Sequence, residues 1–329
     1  NEKEFIAKCL ESIVNQDYPK DKIEVLVVDG MSEDGTRDIV SRYIKQHPYI
    51  RLVDNIMRIT PSAFNQGIKK SRGEIVIIIG AHSICKEDYI EKCVKYLKEY
   101  KTDNIGGMLV AIPADDSFVG KAITKVLSST FGVGNSIFRT GSKEPRWVDT
   151  VFGGCYRREI FEKTGFFNEK LIFSQDMEFN LRLKRAGGKI LYHPDIVSYY
   201  YARSDFRDFC RHNFRNGIWA IYPIKFSKLM PVSPRHLVPF VFVTALIALS
   251  MLSFFSVIFF HLLICMVGLY IAASVYFSAK AAKKDADLKY LFVMPAIFFS
   301  LHFVYGLGSI WGLAKLLMPE RPLNAKKII

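Results

Sequence analysis

The longest uncharged run in this chain constrains its architecture most strongly. Residues 237–279 are 43 amino acids without an aspartate, glutamate, lysine or arginine. A membrane-spanning helix needs about 20 apolar residues, so this run predicts two spans, at 237–255 and 257–279, joined by a tight turn near 253–256. A second uncharged run predicts a third span at 291–314. Soluble core helices seldom stay uncharged for so long, so we expect a membrane protein.

Basic residues beside the spans predict their orientation. Four lysines follow the second span, and basic loops favour the cytosolic side. We therefore expect a multi-pass protein of the cytoplasmic membrane whose N-terminal domain faces the cytosol. Three full crossings would place the basic tail, residues 316–329, on the opposite side, against the same tendency. The third segment is interrupted by one proline and three glycines, so a re-entrant segment is the alternative: Pro295, Gly306, Gly308, Gly312.

The part of the chain before these spans reads as an α/β domain over residues 1–203. Short apolar strands alternate with helical patterns, which is typical of a mostly parallel, Rossmann-like sheet with helices on both faces. The chain starts at Asn1 without an initial strand pattern, so we expect the opening strand of this sheet to be missing. The predicted helices are 4–15, 35–45, 61–71, 87–100, 118–128, 157–164 and 176–187. The predicted strands are 23–28, 50–53, 74–79, 105–111, 148–152 and 189–192.

The segment between the domain and the spans, residues 204–236, mixes arginines with aromatic residues. This pattern predicts amphipathic helices on the membrane interface, and a helix that packs within the domain is the alternative. The chain is half hydrophobic, yet its net charge is +13. Such a charge suits an anionic membrane surface. We expect no nucleic-acid partner, because the sequence has no zinc-finger spacing, aromatic platform or basic recognition helix.

Residues 23–36 read I-E-V-L-V-V-D-G-M-S-E-D-G-T, a buried strand followed by an acidic cluster. In open α/β sheets, ligands bind at the carboxyl ends of strands. Carboxylates there would repel phosphates but suit the hydroxyls of a ribose and the ring N–H of a uracil. The cluster therefore predicts a site for the sugar and base of a nucleotide. In the alternative, Asp29 ends the strand and Asp34 caps the next helix.

Two further positions carry candidate chemistry. Asp176 and Glu178 open a predicted helix, where the helix dipole favours negative charge. One of the two would serve as general base on an attacking hydroxyl and the other would orient the acceptor; helix capping is the alternative role. His82 follows the strand at 74–79 and is a candidate metal ligand or hydrogen-bond donor to a phosphate. A structural role is the alternative.

Together these segments resemble family 2 glycosyltransferases with the GT-A fold, in particular the membrane-anchored succinoglycan type of exopolysaccharide biosynthesis. The resemblance covers nearly the whole chain and depends on the order and spacing of its motifs. These are N-E at 1–2, N-Q-D-Y-P at 15–19, V-V-D-G-M-S-E-D-G-T at 27–36, F-G-V-G-N-S-I-F-R-T-G at 131–141, V-D-T-V-F-G-G-C-Y-R-R at 148–158, Q-D-M-E-F-N-L-R-L at 175–183, R-H-N-F-R-N-G-I-W at 211–219 and R-H-L-V-P at 235–239.

The resemblance implies a role for each candidate. Glu2 and Asp29 would contact the nucleoside of a nucleotide sugar, with Asp34 nearby and with Asn65 and His82 in the same binding set. The base that deprotonates the acceptor hydroxyl, for an inverting displacement at the anomeric carbon, would be Asp176. The region of the donor sugar and acceptor would include Gly153, Gly154, Glu178, Arg211, His212 and Trp219.

One departure from the family pattern concerns the metal. The family usually has D-x-D at a strand end, whose carboxylates hold Mg²⁺ or Mn²⁺ on the diphosphate, but the aligned residues here are Gly80-Ala81-His82. Hard cations prefer oxygen ligands, so we expect weakened metal binding, with His82 as the metal ligand and Mn²⁺ favoured over Mg²⁺. Without a metal, Lys69, Arg72 or Arg211 would neutralise the leaving diphosphate.

The sequence thus predicts a membrane-anchored hexosyltransferase. It would move a hexose from a nucleotide-diphosphate sugar, expected to be a UDP-sugar, to a lipid-linked or polysaccharide acceptor at the cytosolic membrane face. The expected partners are this donor, the acceptor, membrane lipid and other polysaccharide-assembly proteins. One alternative is a glycosyltransferase acting on polyprenyl phosphate itself. Another is a non-catalytic nucleotide-sugar-binding subunit, which the missing D-x-D favours and the retained Asp176 opposes.

Overall fold

A computed structural model describes residues 1–227 and 233–318 of the chain. These residues form two compact units. The first contains residues 1–110 and 141–200, and the second contains 111–140 and 201–318. Residues 111–140 therefore fold with the C-terminal part of the chain, although they precede it by 60 residues or more. The predicted boundaries at 203 and 236 stay predictions, and the basic tail lies outside the described residues from 319 onward.

The first unit contains two β-sheets. In the smaller sheet, β1 (Val25–Asp29) pairs in parallel with β2 (Ile50–Asp54). In the larger sheet the strand order is β3-β7-β5-β8-β4, with β6 paired to β8. The strands of this sheet are β3 (Ile75–Ile77), β4 (Ser83–Cys85), β5 (Asn104–Pro113), β6 (Arg146–Trp147), β7 (Cys155–Arg157) and β8 (Ile190–Ala202).

Amphipathic helices cover these sheets. On the smaller sheet, α1 and α2 bury Ile6, Leu10 and Val40 against the apolar side chains of β1 and β2. On the larger sheet, α4 buries Cys93 and Leu97 against the strands. The helices of this unit are α1 (Ile6–Val14), α2 (Thr36–Gln46), α3 (Thr60–Lys70), α4 (Tyr89–Glu99), α8 (Glu159–Thr164) and α9 (Gln175–Arg185).

Strand predictions for the larger sheet were partly wrong. Residues 148–152 form no strand, β4 and β7 were not predicted, and β8 runs ten residues beyond the predicted end at 192. The expectation of a mostly parallel sheet holds for β1 and β2, whereas β7 lies antiparallel to both β3 and β5, and β4 and β6 are antiparallel to β8. A three-residue apolar run looks the same in either direction, so sequence periodicity could not distinguish them.

The second unit is helical, with three helices long and apolar enough to cross a membrane, Pro234–Leu252, Val257–Asp285 and Tyr290–Leu316. The predicted turn near 253–256 separates the first two. The third runs unbroken through Pro295 and the three glycines, so these residues do not interrupt it. The α-helices of the second unit are α5 (Phe118–Leu127), α6 (Thr130–Val133), α7 (Ile137–Thr140), α10 (Phe206–Ile221), α11 (Val238–Leu252), α12 (Val257–Asp285) and α13 (Tyr290–Leu316).

One apolar core holds this second unit together. Ile123 and Val126 of α5 pack with Phe209 of α10 and with Met294 and Phe298 of α13. The predicted interfacial segment therefore contains a helix, α10, whose apolar side is buried inside its own unit. This burial supports the packing alternative for that side of α10, while the other side stays exposed.

Candidate active site

Asp29 is the last residue of β1 and the only buried residue of that strand. Its carboxylate accepts hydrogen bonds from two neighbouring residues. The Ser32 N–H donates to Asp29 Oδ2 at 2.8 Å, and Arg37 Nη1 donates to the same oxygen at 2.9 Å. Burial alone would raise the pKa of Asp29, but the hydrogen bonds from Ser32 and Arg37 outweigh it and lower the pKa. Arg37 also bonds Asp54 at the end of β2 (2.7 Å). Asp29 is thus a carboxylate that ties two strand ends together.

Asp34 organises the loop that follows β1. Its Oδ1 accepts from the backbone N–H and the hydroxyl of Thr36, and its Oδ2 accepts from the Lys3 N–H. The hydroxyl bond contributes most to lowering the pKa of Asp34, to about 2. The Glu2 N–H in turn donates to Thr36 Oγ1 at 2.8 Å. Asp34 therefore bonds the first residue of α2, Thr36, whose hydroxyl also accepts from Glu2, and Gly35 is the residue that precedes the helix.

His82 lies beside Glu2, with 3.5 Å between Nδ1 and Oε1. The His82 ring packs edge-on against Tyr200, with ring centroids 4.9 Å apart, and Tyr200 packs against Phe152. Both His82 and Glu2 keep about a third of their side-chain surface exposed. The first unit thus brings Glu2 and His82 together. The rings of Tyr200 and Phe152 pack next to His82, and the glycine pair follows Phe152 in the chain.

Gly153 and Gly154 both have positive φ angles, 66° and 99°. A Cβ at Gly153 would collide with the Ile78 carbonyl, and one at Gly154 would lie 2.6 Å from the Tyr156 ring. The Gly154 carbonyl accepts from the Ile78 N–H at 3.0 Å. Only glycine fits both positions, and the pair holds this loop against the chain just after β3. The resemblance implied a place for both glycines near the donor sugar and acceptor, which stays a prediction.

Asp176 lies in the first turn of α9, near Tyr156. Burial raises the pKa of Tyr156, and the negative charge of Asp176 raises it further. Surrounding protein atoms desolvate Asp176 although its side chain is not sealed from solvent, and this desolvation raises its pKa above the ordinary carboxyl value. Bonds from nearby backbone N–H groups, that of Met177 first, oppose the shift without cancelling it. Asp29 and Asp176 therefore have pKa shifts of opposite sign, as expected for a structural carboxylate and a proton acceptor.

A buried amide network fixes the helix that carries Asp176. Asn180, one turn further along α9, is fully buried. Asn104 Nδ2 donates to its Oδ1 at 3.0 Å, and Asn180 Nδ2 donates to Thr150 Oγ1 at 3.0 Å. The Tyr156 hydroxyl lies 3.5 Å from the same Oδ1 and 3.4 Å from the Gly153 carbonyl. These bonds join α9, β5 and the loop before the glycine pair.

Two predicted site residues mainly support loops. Glu178 is buried in a bidentate pair with Arg182 (2.7 and 2.9 Å), and Arg182 also donates to the Phe166 carbonyl. Asn65 donates to the carbonyl of Phe167 and accepts from its N–H, both at 2.9 Å. Their roles at the acceptor and at the nucleotide sugar stay predictions. Arg72 lies beside Glu24 at the amino end of β1, opposite the end where Asp29 sits.

The remaining candidates lie on α10, in the second unit. Arg211 is exposed and paired with Asp208, His212 is partly buried, and Trp219 is buried with its ring 5.6 Å from that of Tyr222. Their predicted contact with the pyrophosphate and acceptor stays a prediction.

Without the donor, the described residues supply only part of a metal site. Across residues 1–227 and 233–318, no three histidine, cysteine, aspartate or glutamate side chains converge as metal ligands. Glu2 and His82 would supply two ligands, so the donor diphosphate would have to complete the coordination. We therefore derive no step through a metal.

Several residues of the site were not predicted. Arg37, Tyr156, Asn180 and Tyr200 are joined to the predicted residues only through space, so periodicity and motif spacing give no signal for them. The usable signal was the spacing of Asp176 and Asn180. Residues four apart lie on the same face of a helix.

Comparisons with known proteins show which family this α/β domain resembles. The sequence profile of glycosyl transferase family 2 matches residues 1–165. The chain is 35% identical over 225 residues to the dolichyl N-acetyl-α-D-glucosaminyl phosphate 3-β-D-2,3-diacetamido-2,3-dideoxy-β-D-glucuronosyltransferase of Methanococcus voltae, covering 66% of this chain and 69% of the relative. It is 27% identical over 230 residues to the succinoglycan biosynthesis protein ExoA of Rhizobium meliloti, covering 63% and 69%.

Among solved structures, the mannosyltransferase PcManGT of Pyrobaculum calidifontis, in complex with GDP-Man and Mn²⁺, superposes with a TM-score of 0.60. The match has 22% identity and covers 94% of this chain and 83% of the other. At that identity the likeness establishes the fold alone.

Fold and site together define a nucleotide-sugar-dependent glycosyltransferase of the GT-A class. The chain belongs to glycosyl transferase family 2. The family resemblance and the fold class expected from the sequence are thereby confirmed, and so is the expectation of an enzyme.

Proposed function

We propose that this enzyme is an inverting hexosyltransferase that uses a UDP-sugar and a lipid-linked acceptor at the cytosolic face of the membrane. The observation that carries the proposal is Asp176, a desolvated carboxylate of raised pKa in the first turn of α9, near Tyr156. Such a group is suited to take a proton from a hydroxyl, because a higher pKa makes its ionised form the stronger base.

In this proposal, Asp176 removes the proton of the acceptor hydroxyl as its oxygen attacks the anomeric carbon of the donor sugar. The bond from that carbon to the UDP oxygen breaks, UDP leaves on the opposite side, and the configuration inverts. Asn180 and its buried hydrogen bonds hold α9, the helix that carries the base, while Glu2, Asp34 and His82 lie at the edge proposed for the nucleotide.

The acceptor and the membrane are supported by two separate observations. The Methanococcus voltae relative is named for action on a dolichyl-linked sugar phosphate, which favours a sugar already on a lipid over the bare polyprenyl phosphate. Three helices of the described chain are long and apolar enough to cross a bilayer. Anchoring would confine the enzyme and a lipid-linked acceptor to one plane.

Calorimetric titration of the detergent-solubilised full chain with UDP tests the donor site. We expect saturable binding in EDTA, strengthened by Mn²⁺ more than by Mg²⁺, with the metal effect lost in His82→Ala. His193→Ala is the control, because His193 stacks on Tyr96 and has no part in the proposed site. Binding indifferent to metal would remove His82 as a ligand but leave the transferase. Absence of binding to UDP and to other nucleotides would refute the donor site.

A further inference from the structure

The start of α9 departs from the usual pattern of a helix start. Ser174 precedes the helix in the left-handed region, with φ 59° and ψ 16°, whereas a residue at this position is usually extended. Its side chain makes no capping hydrogen bond to α9. Instead, the Asp176 carboxylate accepts from backbone N–H groups of this turn, including that of Met177. The turn that carries the candidate base is therefore built on a strained residue, which is typical of functional sites.

Gln175 lies between these two residues, and its carboxamide has no hydrogen-bond partner among residues 1–227 and 233–318. Its Oε1 is buried and accepts no bond there. Its Nε2 donates none but is open to solvent, because the side chain as a whole is only partly buried. A buried oxygen without a partner destabilises the fold, since it loses its bonds to water and gains none. The carboxamide of Gln175 therefore requires an explanation.

Aromatic packing surrounds this turn of α9. Phe179 lies one turn beyond Gln175 on the same face of the helix. Its ring stacks on Phe167, with centroids 4.6 Å apart, and lies edge-on to Tyr156 at 5.6 Å. The charge of Asp176 also acts on Tyr156. Gln175 and Asp176 therefore start a helix whose first turns pack on aromatic rings.

The buried polar groups further along α9 are paired. Glu178 pairs with Arg182, and Asn180 takes part in the buried amide network. The departures from local rules thus fall together in residues 174–176: a left-handed residue, an unused cap, an unpaired amide and a desolvated carboxylate. Such departures are expected where a residue serves a ligand instead of the fold.

We propose that the Gln175 carboxamide hydrogen-bonds a ring hydroxyl of the donor sugar while that sugar reacts at Asp176. In the proposed transfer, Asp176 meets the attacking oxygen of the acceptor, and the anomeric carbon lies about 3 Å from that oxygen. The hydroxyls of the hexose then enter beside the first turn of α9. A hydroxyl both donates and accepts, so it can bond Nε2 or, after a half-turn of the amide, Oε1. The inference rests on the proposed function and adds a residue that recognises the donor sugar.

Calorimetry on the detergent-solubilised full chain, without acceptor, tests the contact with the sugar. The ligands are UDP and three UDP-hexoses: UDP-glucose, UDP-galactose and UDP-N-acetylglucosamine. In Gln175→Met, which keeps the length of the side chain but removes both polar atoms, UDP affinity should stay unchanged. Affinity for the UDP-hexose that the wild type binds most tightly should fall about 3- to 10-fold, the effect of losing one neutral hydrogen bond.

Thermal unfolding of the same samples separates a ligand-binding amide from a structural one. Gln175→Met should unfold at the wild-type temperature or above it, because it removes an unpaired buried oxygen. Gln16→Met is the control. The Gln16 carboxamide donates to the Ser12 and Lys86 carbonyls and accepts from the Ile90 N–H. That variant should therefore unfold at a lower temperature and bind UDP-hexose as the wild type does.

Equal UDP-hexose affinity in Gln175→Met and the wild type would overturn this inference and leave the donor site standing. So would a loss of thermal stability in Gln175→Met as large as that of Gln16→Met, since the amide would then be structural. Failure of the proposed function gives a different result. A wild type that binds neither UDP nor any of the UDP-hexoses would contradict the donor site and the role of Gln175 together.

Discussion

At the scale of single residues, environment separates carboxylates that look alike in the sequence. Asp29 and Asp176 both follow strand or loop segments at the predicted site edge, yet Asp29 accepts from Arg37 and Ser32 while Asp176 is desolvated beside Tyr156. The first has a lowered pKa and the second a raised one. Opposite shifts of this kind support the proposed proton-accepting role of Asp176, and the contact of Asp29 with a nucleoside stays a prediction.

Asp176→Asn tests this assignment. Turnover should fall by about 10² to 10⁴, the usual effect of losing a general base, while UDP affinity stays unchanged. A carboxyl whose pKa is raised by folding stabilises the protein fully below its unfolded pKa, and that stabilisation is lost as pH rises through the folded pKa. Asp176 is therefore unfavourable when ionised, so the neutral asparagine should raise the unfolding temperature at pH 7. Turnover within a few-fold of wild type would show that another group is the base.

At the scale of elements, the site depends on how α9 is joined to its neighbours. Helix α9 begins at Gln175 directly after Ser174, which has a positive φ of 59°. Arg182, paired with Glu178 on the same helix, bonds it to the loop after α8 at the Phe166 carbonyl, and Asn180 bonds it to β5 and to Thr150. Each contact is a short polar link between buried elements, where an unpaired group would be costly.

Asn180→Ala should separate positioning from nucleotide binding. Removing the carboxamide leaves Asn104 and Thr150 without their buried partner, at a cost of about 1–3 kcal/mol in unfolding free energy. Turnover should fall because Asp176 loses its fixed position, whereas calorimetric UDP affinity should change little. The exposed Asn15→Ala is the control. Equal losses in UDP affinity and turnover would point to a general collapse of the first unit.

At the scale of the whole molecule, small residues decide how the helical unit assembles. Gly217 of α10 and Gly308 of α13 allow each backbone to touch the other helix, as in membrane-protein interfaces built on small residues. The glycines that the sequence suggested as interruptions of a third span are therefore packing positions in a continuous helix.

Gly308→Ala measures this packing against a matched control. The added methyl group would meet the Phe214 carbonyl, and overpacking of this kind costs about 1–3 kcal/mol. Gly268→Ala on α12 has open space around its Cβ, so it should leave the unfolding temperature in detergent unchanged or slightly raised. If both variants unfold at the same temperature, the close approach of α10 and α13 is not needed for stability.

Several features of this protein were readable from local sequence. The three long apolar helices, the turn near 253–256 and most helices of the α/β domain follow from charge-free length and from periodicity, which each segment carries within itself. The resemblance to the family also implied a common binding set for Glu2, Asp34 and His82, and the structure places Glu2 beside His82 and links it to Asp34 through Thr36.

Tertiary structure alone decided the rest. Sequence by itself determined the class of the protein and most of its elements, because apolar spacing and strand-end motifs are short-range. It did not determine that β7 lies antiparallel between β3 and β5. It also did not determine that Arg37 donates a hydrogen bond to Asp29. Nor did it reveal that Asn180 meets Asn104 and Thr150, 76 and 30 residues away. Hydrogen bonds and desolvation depend on which distant atoms fill the space around a group, and only the folded chain places those atoms.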